Sequence, residues 1–198
     1  LEIATPGSAN PTFGFEQRAQ QPVIETAAGF YANGVIVHIS AADGAEIHYT
    51  TDCSTPTRTS PLYTGPISIS ATTVIRAIAC APDHLCSAVA GATYFINDSS
   101  PVPVVSLYTD NTYLFDDSTG VMVKGTGRTP NYMKNLQYPC QLEYFDENGQ
   151  LGICQMGTFK IAGKTMRTGK QKSLAVYARK AYGSDTFGYP FFEDRDYD

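Results

Sequence analysis

Short runs of alternating apolar residues, separated by turn-forming residues, extend from residue 22 to residue 96. An alternation with a period of two puts one set of side chains on a buried face of a β-strand and the other set in solvent. Because several such runs recur at short intervals, this part of the chain is predicted to be a β-sandwich that needs no helix. The predicted strands are 35–39, 46–50, 67–69, 74–80 and 90–96. Where the alternation is clearest, in 35–39 and 74–80, one face is expected to pack inward and the other to meet solvent.

A polar segment interrupts this pattern at residues 97–101 and ends in a proline, after which a second alternating run begins. Polar stretches that end in proline are typical of domain boundaries. We therefore expect a linker or the tail of an upstream domain at 1–20, a sandwich module at 21–97, and a β-rich α+β piece at 98–198. The predicted fold class is mainly β, an immunoglobulin-like sandwich followed by this second piece.

The composition is that of a soluble globular chain, with 42% hydrophobic residues and no apolar run near the ~18 residues of a membrane-spanning helix. The chain begins at Leu1 without an initiator Met or a signal peptide. It is therefore either a mature chain or a piece cut from a longer protein, and we favour the second.

The net charge of −5 conceals an uneven distribution. Residues 1–123 contain 3 Lys or Arg against 11 Asp or Glu, residues 124–180 contain 10 against 3, and residues 181–198 contain 1 against 5. A basic zone of this kind suits a phosphate or an acidic partner. Nucleic acid is not expected as a partner, because the pI of the whole chain is about 5.1.

The most basic stretch is the connection between two predicted strands, 159–161 and 173–179. Gly163 and Gly169 permit tight backbone turns there, where amide and ammonium groups could hold a phosphate. The alternative is a solvated hairpin tip, since exposed cations on turns commonly keep strand connections soluble. The four cations of this connection are Lys164, Arg167, Lys170 and Lys172.

Five cysteines cannot all pair within one chain, and none of them has the spacing of a zinc site. Cys80 and Cys86 flank a short connection between two predicted strands, so a disulfide across it is geometrically feasible in an oxidising compartment. A two-residue turn at Asn148-Gly149 would place Cys154 opposite Glu143 and Cys140 opposite Gly157. This register predicts that Cys140 and Cys154 do not pair.

The run IHYTTDCSTPTRTSPLYTGPISISATTVIRAIA at 47–79 resembles the small sandwich module at the ends of β-hexosaminidases and beside fibronectin type III repeats. Cys53 stands where that family usually has a glycine after Asp52, so a different turn is expected there. The resemblance implies that the module accompanies catalytic domains and that its residues are structural. Side-chain hydrogen bonds are expected to close the turn that begins at Asp52. The seven residues ATPGSAN at 4–10 are similar to the closing residues of lamin-tail-type domains.

Three segments resemble, in order, the opening third of the CotH kinase family of spore-coat and secreted proteins: PVVSLYTDNTYLFDDSTGVMVKGTG at 103–127, YPCQLEYFDENGQLGICQMGTFKIAG at 138–163 and RTGKQKSLAVYARKAYGSDTFGYPFF at 167–192. The resemblance implies a divergent, atypical kinase-like fold for 98–198. It further implies that Lys172 is the lysine that meets a nucleotide phosphate, with Arg167 and Ser173 in the flanking motif positions and Gly169 and Lys170 in the same loop. The alternative for Lys172 is a surface lysine whose stem lies over the sheet.

The resemblance implies ATP and Mg²⁺ as cofactors of the parent protein, whose catalytic acids lie beyond Asp198. Glu193, Asp194, Asp196 and Asp198 form an ordinary charged tail, and Asp116 and Asp117 are expected to be turn acids. No Ser or Cys stands in a nucleophile motif with the scattered histidines. The chain alone is therefore expected not to catalyse and to hold no metal.

Two functions follow from these features: the accessory and nucleotide-facing part of a CotH-like kinase, or a non-catalytic surface adhesion or glycan-binding module. The glycan-binding hypothesis rests on the 13 Tyr and 10 Phe, because aromatic rings can stack against sugar rings, although Trp is absent. In both, the parent protein is expected to be exported to a bacterial surface, with its own remaining domains, surface proteins or glycans as partners.

Overall fold

The structure is a computed structural model and describes residues 17–191. The lamin-tail-like segment at 4–10 and the acids Glu193, Asp194, Asp196 and Asp198 lie outside the described residues. Within them, no helix is long and apolar enough to cross a membrane.

The predicted strands of the first module are largely confirmed. Three of them have the predicted bounds, and 74–80 begins one residue earlier. The run 35–39 is divided at His38, because the strand before it and the strand after it pair with different partners. The strands are β1 Val23–Ile24, β2 Gly29–Tyr31, β3 Val35–Val37, β4 Ile39–Ser40, β5 Glu46–Thr50, β6 Ile67–Ile69, β7 Thr73–Cys80 and β8 Ala90–Ile96.

One core joins these strands. A four-stranded sheet runs in the order β2-β8-β7-β5, and the two-stranded pairs β1-β4 and β3-β6 lie apart from it. Side chains from both sets pack together in the core, which is the arrangement of a sandwich. The core residues are Val37, Ile39, Ile47, Ile69, Ile75, Ala77, Ala92, Tyr94 and Ile96. The predicted disulfide between Cys80 and Cys86 is also present.

The second half is an antiparallel four-stranded sheet with one short helix. Its strands are β9 Val104–Tyr108, β10 Gln137–Phe145, β11 Leu151–Ile161 and β12 Leu174–Ala178, in the order β12-β11-β10-β9. The helix α1, Asn111–Phe115, begins after Asp110, whose side chain accepts a hydrogen bond from the backbone of Thr112. The helix region covers one face of the sheet over a core of Val121, Cys140, Phe159 and Ile161. The mainly β class is thus confirmed.

The hairpin between β10 and β11 has the predicted register but not the predicted turn. Cys140 lies opposite Gly157, and Glu143 lies opposite Cys154. The backbone of Asp146 instead closes a three-residue loop by bonding to Gln150, with Gly149 at φ +74°. A register shift between residues 144 and 145 compensates for the extra loop residue.

The other face of this sheet packs against β8. The hydroxyls of Thr93 and Ser106 are 2.7 Å apart. The rings of Phe30, Phe95 and Phe145 form a cluster in which Phe30 and Phe95 are stacked at 4.5 Å and Phe145 meets both edge-on. The two halves therefore share an apolar and hydrogen-bonded interface.

The strand 74–80 was expected to have one face in solvent, and this expectation is wrong. Every residue of β7 from Ile75 to Cys80 is buried. The Arg76 side chain is 9% exposed, and its Nη1 donates to the carbonyl of Cys53 at 2.7 Å. The loop at 52–55 is held in turn by Asp110 and Asn111 of the second half, through bonds to Thr55 N and Asp52 O. The alternation in the sequence predicted the strand, but its second face is covered by residues far along the chain.

Candidate functional site

The cationic connection forms a loop, residues 162–173, between β11 and β12. Gly163 has φ +72°, a conformation that favours glycine, whereas Gly169 has φ −65° and needs no glycine. Ala162 N donates to Ser173 O at 2.8 Å and closes the base of the loop. Ser173 thus contributes its backbone to the hairpin. The cations lie on a turn whose ends are fixed.

Arg167 holds this loop together rather than pointing away from it. Its guanidinium donates to the carbonyls of Gly163 at 2.7 Å and Ile161 at 3.1 Å, both in its own hairpin. It also reaches the carbonyls of Tyr132 at 3.2 Å and Lys134 at 3.3 Å. One side chain therefore ties the loop to the helical turn at Asn131–Met133. A planar donor with five N–H groups suits this role.

The Lys172 side chain also contacts Tyr132, in the segment that Arg167 reaches. Its Nζ lies 4.6 Å from the centre of the Tyr132 ring and donates to Gly169 O at 2.8 Å. An ammonium group has three donors, so the single hydrogen bond leaves capacity for another acceptor. Lys172 and Arg167 thus converge on Tyr132, one through its ring and the other through its carbonyl.

The other two cations of the loop are less constrained. In the described part of the chain, Lys164 and Lys170 form no hydrogen bond or ion pair through their side chains, and both residues are exposed. None of the four cations has a carboxylate partner among residues 17–191, where the two ion pairs are His48 with Glu46 and Lys180 with Asp185. The loop is therefore a concentration of positive charge without internal compensation.

The turn acids are placed as predicted from the sequence. Asp116 Oδ1 accepts hydrogen bonds from the backbone and hydroxyl groups of Ser118 and Thr119. The hydrogen bonds from Ser118, followed by those from Thr119, lower the pKa of Asp116 to about 2. Asp52 likewise accepts from the backbone and hydroxyl of Ser54. These carboxylates close turns. Among the described residues, no group of three or more His, Cys, Asp or Glu side chains could hold a metal ion.

A cavity of about 1020 Å³ lies where the two halves meet, and no sequence pattern predicted it. Its walls are mostly apolar. The fully buried Glu143 and the Cys154 thiol stand on its β10–β11 side. The predicted register did place these two residues opposite each other, but a glutamate on a strand is normally expected in solvent.

The thiol of Cys154 is held between two side chains. Gln141 Nε2 lies 3.0 Å from its sulfur, and the sulfur lies 3.8 Å from Glu143 Oε1. Loss of hydration and then the Glu143 charge raise the pKa of Cys154 to about 11. The thiol is therefore protonated near neutral pH and is a poor nucleophile, even though the residue is exposed.

Comparison with known families bears on the first module. Residues 26–90 match the chitobiase/beta-hexosaminidase C-terminal domain. This match confirms the resemblance drawn from residues 47–79 and supports a sandwich module there. Cys53 has φ +64° in this module, so it keeps the backbone conformation that a glycine would adopt without strain. No curated protein matches the chain.

Proposed function

We propose that this chain is the accessory sandwich and the nucleotide-facing part of a CotH-like atypical protein kinase, exported to a bacterial surface. In this proposal, residues 21–97 are the accessory module, residues 98–198 belong to the kinase-like domain, and the loop 162–173 contacts phosphate. The chain does not transfer phosphate on its own, because the catalytic acids implied by the resemblance lie elsewhere in the parent protein.

The observation that carries the proposal is the set of four cations in a single loop, none with a carboxylate partner among the described residues. Like charges held close together repel one another, so an anion that neutralises them gains favourable electrostatic energy. Surface lysines of a merely solubilising turn would not need a clamp. Here Arg167 directs its hydrogen bonds to four backbone carbonyls and fixes the loop.

The proposal gives different tasks to the predicted residues, and their contacts support this division. Lys172 is the direct phosphate ligand, since it has donors to spare beside a fixed backbone. Lys170 and the backbone amide of Ser173 complete the site, whereas the N–H of Gly169 already donates to Met166 O at 3.2 Å and shapes the loop. Arg167 contributes charge, but its main task is to hold the loop. In the parent protein, bound ATP would supply the phosphoryl group and Mg²⁺ would neutralise its charge.

The expected affinity is low. Two cations and backbone amides, partly desolvated, contribute about 2 to 4 kcal/mol, which corresponds to about millimolar binding or weaker. A Kd for ATP in the micromolar range is not expected from this chain alone. Most of the nucleotide affinity is assigned to metal ligands and a base pocket in other parts of the parent protein.

A titration of pyrophosphate against the backbone amide shifts of the chain tests the proposal. Shifts should cluster at residues 163–174 and should weaken in Lys172→Ala. Lys160→Ala is the matched control, because Lys160 lies on the same hairpin but over the Tyr177 ring. Shifts spread over other basic residues, or shifts that survive both Lys172→Ala and Arg167→Ala, would show that the loop is a solvated hairpin tip.

A second candidate is a surface adhesion or glycan-binding module, which draws on the β-sandwich at residues 26–90 and on its aromatic side chains. Chitobiose in place of pyrophosphate separates the two candidates. Saturable shifts in residues 26–90 with chitobiose, and none at the loop with pyrophosphate, would favour the second function.

A further inference from the structure

The β9–β12 sheet has its positive and negative charges at opposite ends. Residues 118–142 and 148–180 contain no Asp or Glu. The turn with Asp146 and Glu147 precedes β11 and the loop 162–173 follows it, so about 30 Å of strand separates the acidic turn from the cationic loop. We call residues 124–134 and 162–172 the basic end. Its cations are Lys124, Arg128, Lys134, Lys164, Arg167, Lys170 and Lys172.

Nearby acids do not neutralise the basic end. No cation of this end forms an ion pair with any residue in 17–191. Glu143 is fully buried, and Asp116 is hydrogen-bonded within its own turn. Asp117 adjoins the basic end through its carbonyl, which accepts from Asn131 Nδ2 at 3.0 Å. Because the whole chain has a net charge of −5, an anionic surface attracts it in one orientation, with the basic end forward.

Two methionines are exposed among these cations. Met133 is 46% exposed and Met166 is 51% exposed. They lie in adjoining helical turns, which the Arg167 side chain ties together through backbone carbonyls. Met side chains are flexible and adapt to irregular apolar surroundings. Apolar side chains interleaved with Lys and Arg are typical of protein segments that lie in the interface of a membrane.

A phosphate dissolved in water does not explain these methionines, because an apolar side chain gains nothing from a hydrated anion. A bilayer with anionic headgroups explains both features. Each Lys or Arg close to such a surface strengthens binding about fivefold. The apolar side chains gain further free energy when they leave water for the boundary between headgroups and acyl chains.

We propose that the basic end docks on the surface of a bilayer that contains anionic phospholipids. Met133 and Met166 enter the boundary between headgroups and acyl chains, and the exposed cations of the basic end contact the headgroups. The association is peripheral and reversible, because two methionines bury little apolar area. It goes beyond the phosphate contact proposed for the loop 162–173, and it does not require that the chain be part of a kinase. The exposed cations are Lys124, Arg128, Lys164 and Lys170.

NMR of methyl-labelled methionine tests this docking, because the chain has four methionines and two of them lie outside the basic end. The chain of residues 1–198 is mixed with small bicelles of phosphatidylcholine and phosphatidylglycerol, with and without a spin-labelled lipid. The spin label should broaden the methyl signals of Met133 and Met166 most strongly. Met122, which packs against the core, and Met156, which lines the cavity, are the internal controls. Bicelles of phosphatidylcholine alone should cause no broadening.

Sedimentation with vesicles of the same two lipids separates the apolar contribution from the electrostatic one. Met133→Ser/Met166→Ser should weaken binding about tenfold, while the shifts caused by pyrophosphate persist. The matched control is Val102→Ser/Val105→Ser, since both valines are more than half exposed but lie outside the basic end.

Lys124→Gln/Lys164→Gln should weaken vesicle binding about twentyfold. Arg18→Gln/Arg58→Gln is the matched control, because it removes two exposed cations from the sandwich. Equal broadening of all four methionines, or no broadening, overturns the proposal. Vesicle binding that is lost in the Lys variant but unchanged in the Met variant also overturns it, since that result indicates a site for a soluble polyanion. Broadening of Met133 and Met166 without any pyrophosphate shift would support the docking and contradict the phosphate contact alone.

Discussion

Glu143 Oε2 lies 3.1 Å from the backbone nitrogen of Thr93 and accepts its hydrogen bond across the interface between the two halves. The glutamate is completely buried, and it satisfies an N–H on the open edge of β8. A buried edge amide without a partner would cost free energy, so the carboxyl group stands in for a missing strand. This bond joins the sandwich to the β9–β12 sheet.

Substitution of Glu143 by Gln should increase stability most at high pH. Burial raises the pKa of Glu143, although bonds from Thr93 and Cys154 act in the opposite direction. A carboxyl group whose folded pKa lies above its unfolded value of about 4.3 contributes most to stability below that value. The contribution is lost as pH rises through the folded pKa. A glutamine side chain cannot ionise, so the Glu143→Gln variant should lose this dependence.

Urea unfolding of the wild type and of Glu143→Gln between pH 4 and pH 8 measures this difference. The neighbours Tyr108 and Cys154 have raised pKa values and stay protonated in this range. Glu143→Leu is the contrasting variant, since it leaves Thr93 N–H unpaired and should cost about 1 to 3 kcal/mol. If the free energy of unfolding depends on pH in the same way in the wild type and in Glu143→Gln, ionisation of Glu143 does not control the stability.

Substitution of Cys53 by Gly should stabilise the chain by about 0.5 to 1 kcal/mol, because a non-glycine residue at positive φ carries strain. Cys53 has φ +64°, and its carbonyl must stay in place to accept from Arg76. Thermal unfolding without reductant, so that the Cys80–Cys86 disulfide stays intact, measures the effect. Cys53→Ala is the control that removes the thiol but keeps the strain. If Ala stabilises as much as Gly, the thiol and not the backbone is responsible.

Substitution of Arg167 by Gln should make the loop 162–173 more mobile and should also weaken pyrophosphate binding. Four carbonyl contacts are lost or weakened, two of them to residues 132 and 134. Amide hydrogen exchange should accelerate in 131–134 and 162–173, because local opening becomes less costly. Lys172→Ala should reduce binding while leaving exchange nearly unchanged. Reduced binding in Arg167→Gln without faster exchange would make Arg167 a direct ligand instead.

Local patterns predicted the strands well. The alternation in 46–50, 67–69 and 90–96 gave the bounds of three strands because each has one face in a core. The register of the β10–β11 hairpin followed from the position of Asn148-Gly149, even though the loop contains one more residue than expected. In both instances the determining interactions are close in sequence.

Contacts between distant segments were not predictable in this way. Arg167 was expected to face an anion, but its partners include the backbone carbonyls of residues 132 and 134. Every residue has such a carbonyl, so the sequence does not show which of them will accept a hydrogen bond. Arg76 and Glu143 are charged residues on strands, which normally indicates a solvent face. Both are buried because the second half packs onto the first, a relationship that periodicity does not encode.

A phosphate site in the loop 162–173 is best tested by the dissociation constant of pyrophosphate for Lys172→Ala, relative to that for the wild type. We expect this constant to increase about threefold to tenfold, with Lys160→Ala close to the wild type at the same ionic strength. The comparison with Lys160 removes the general effect of net charge, since each variant loses one cation. Equal dissociation constants for Lys172→Ala and Lys160→Ala would contradict a phosphate site in the loop 162–173.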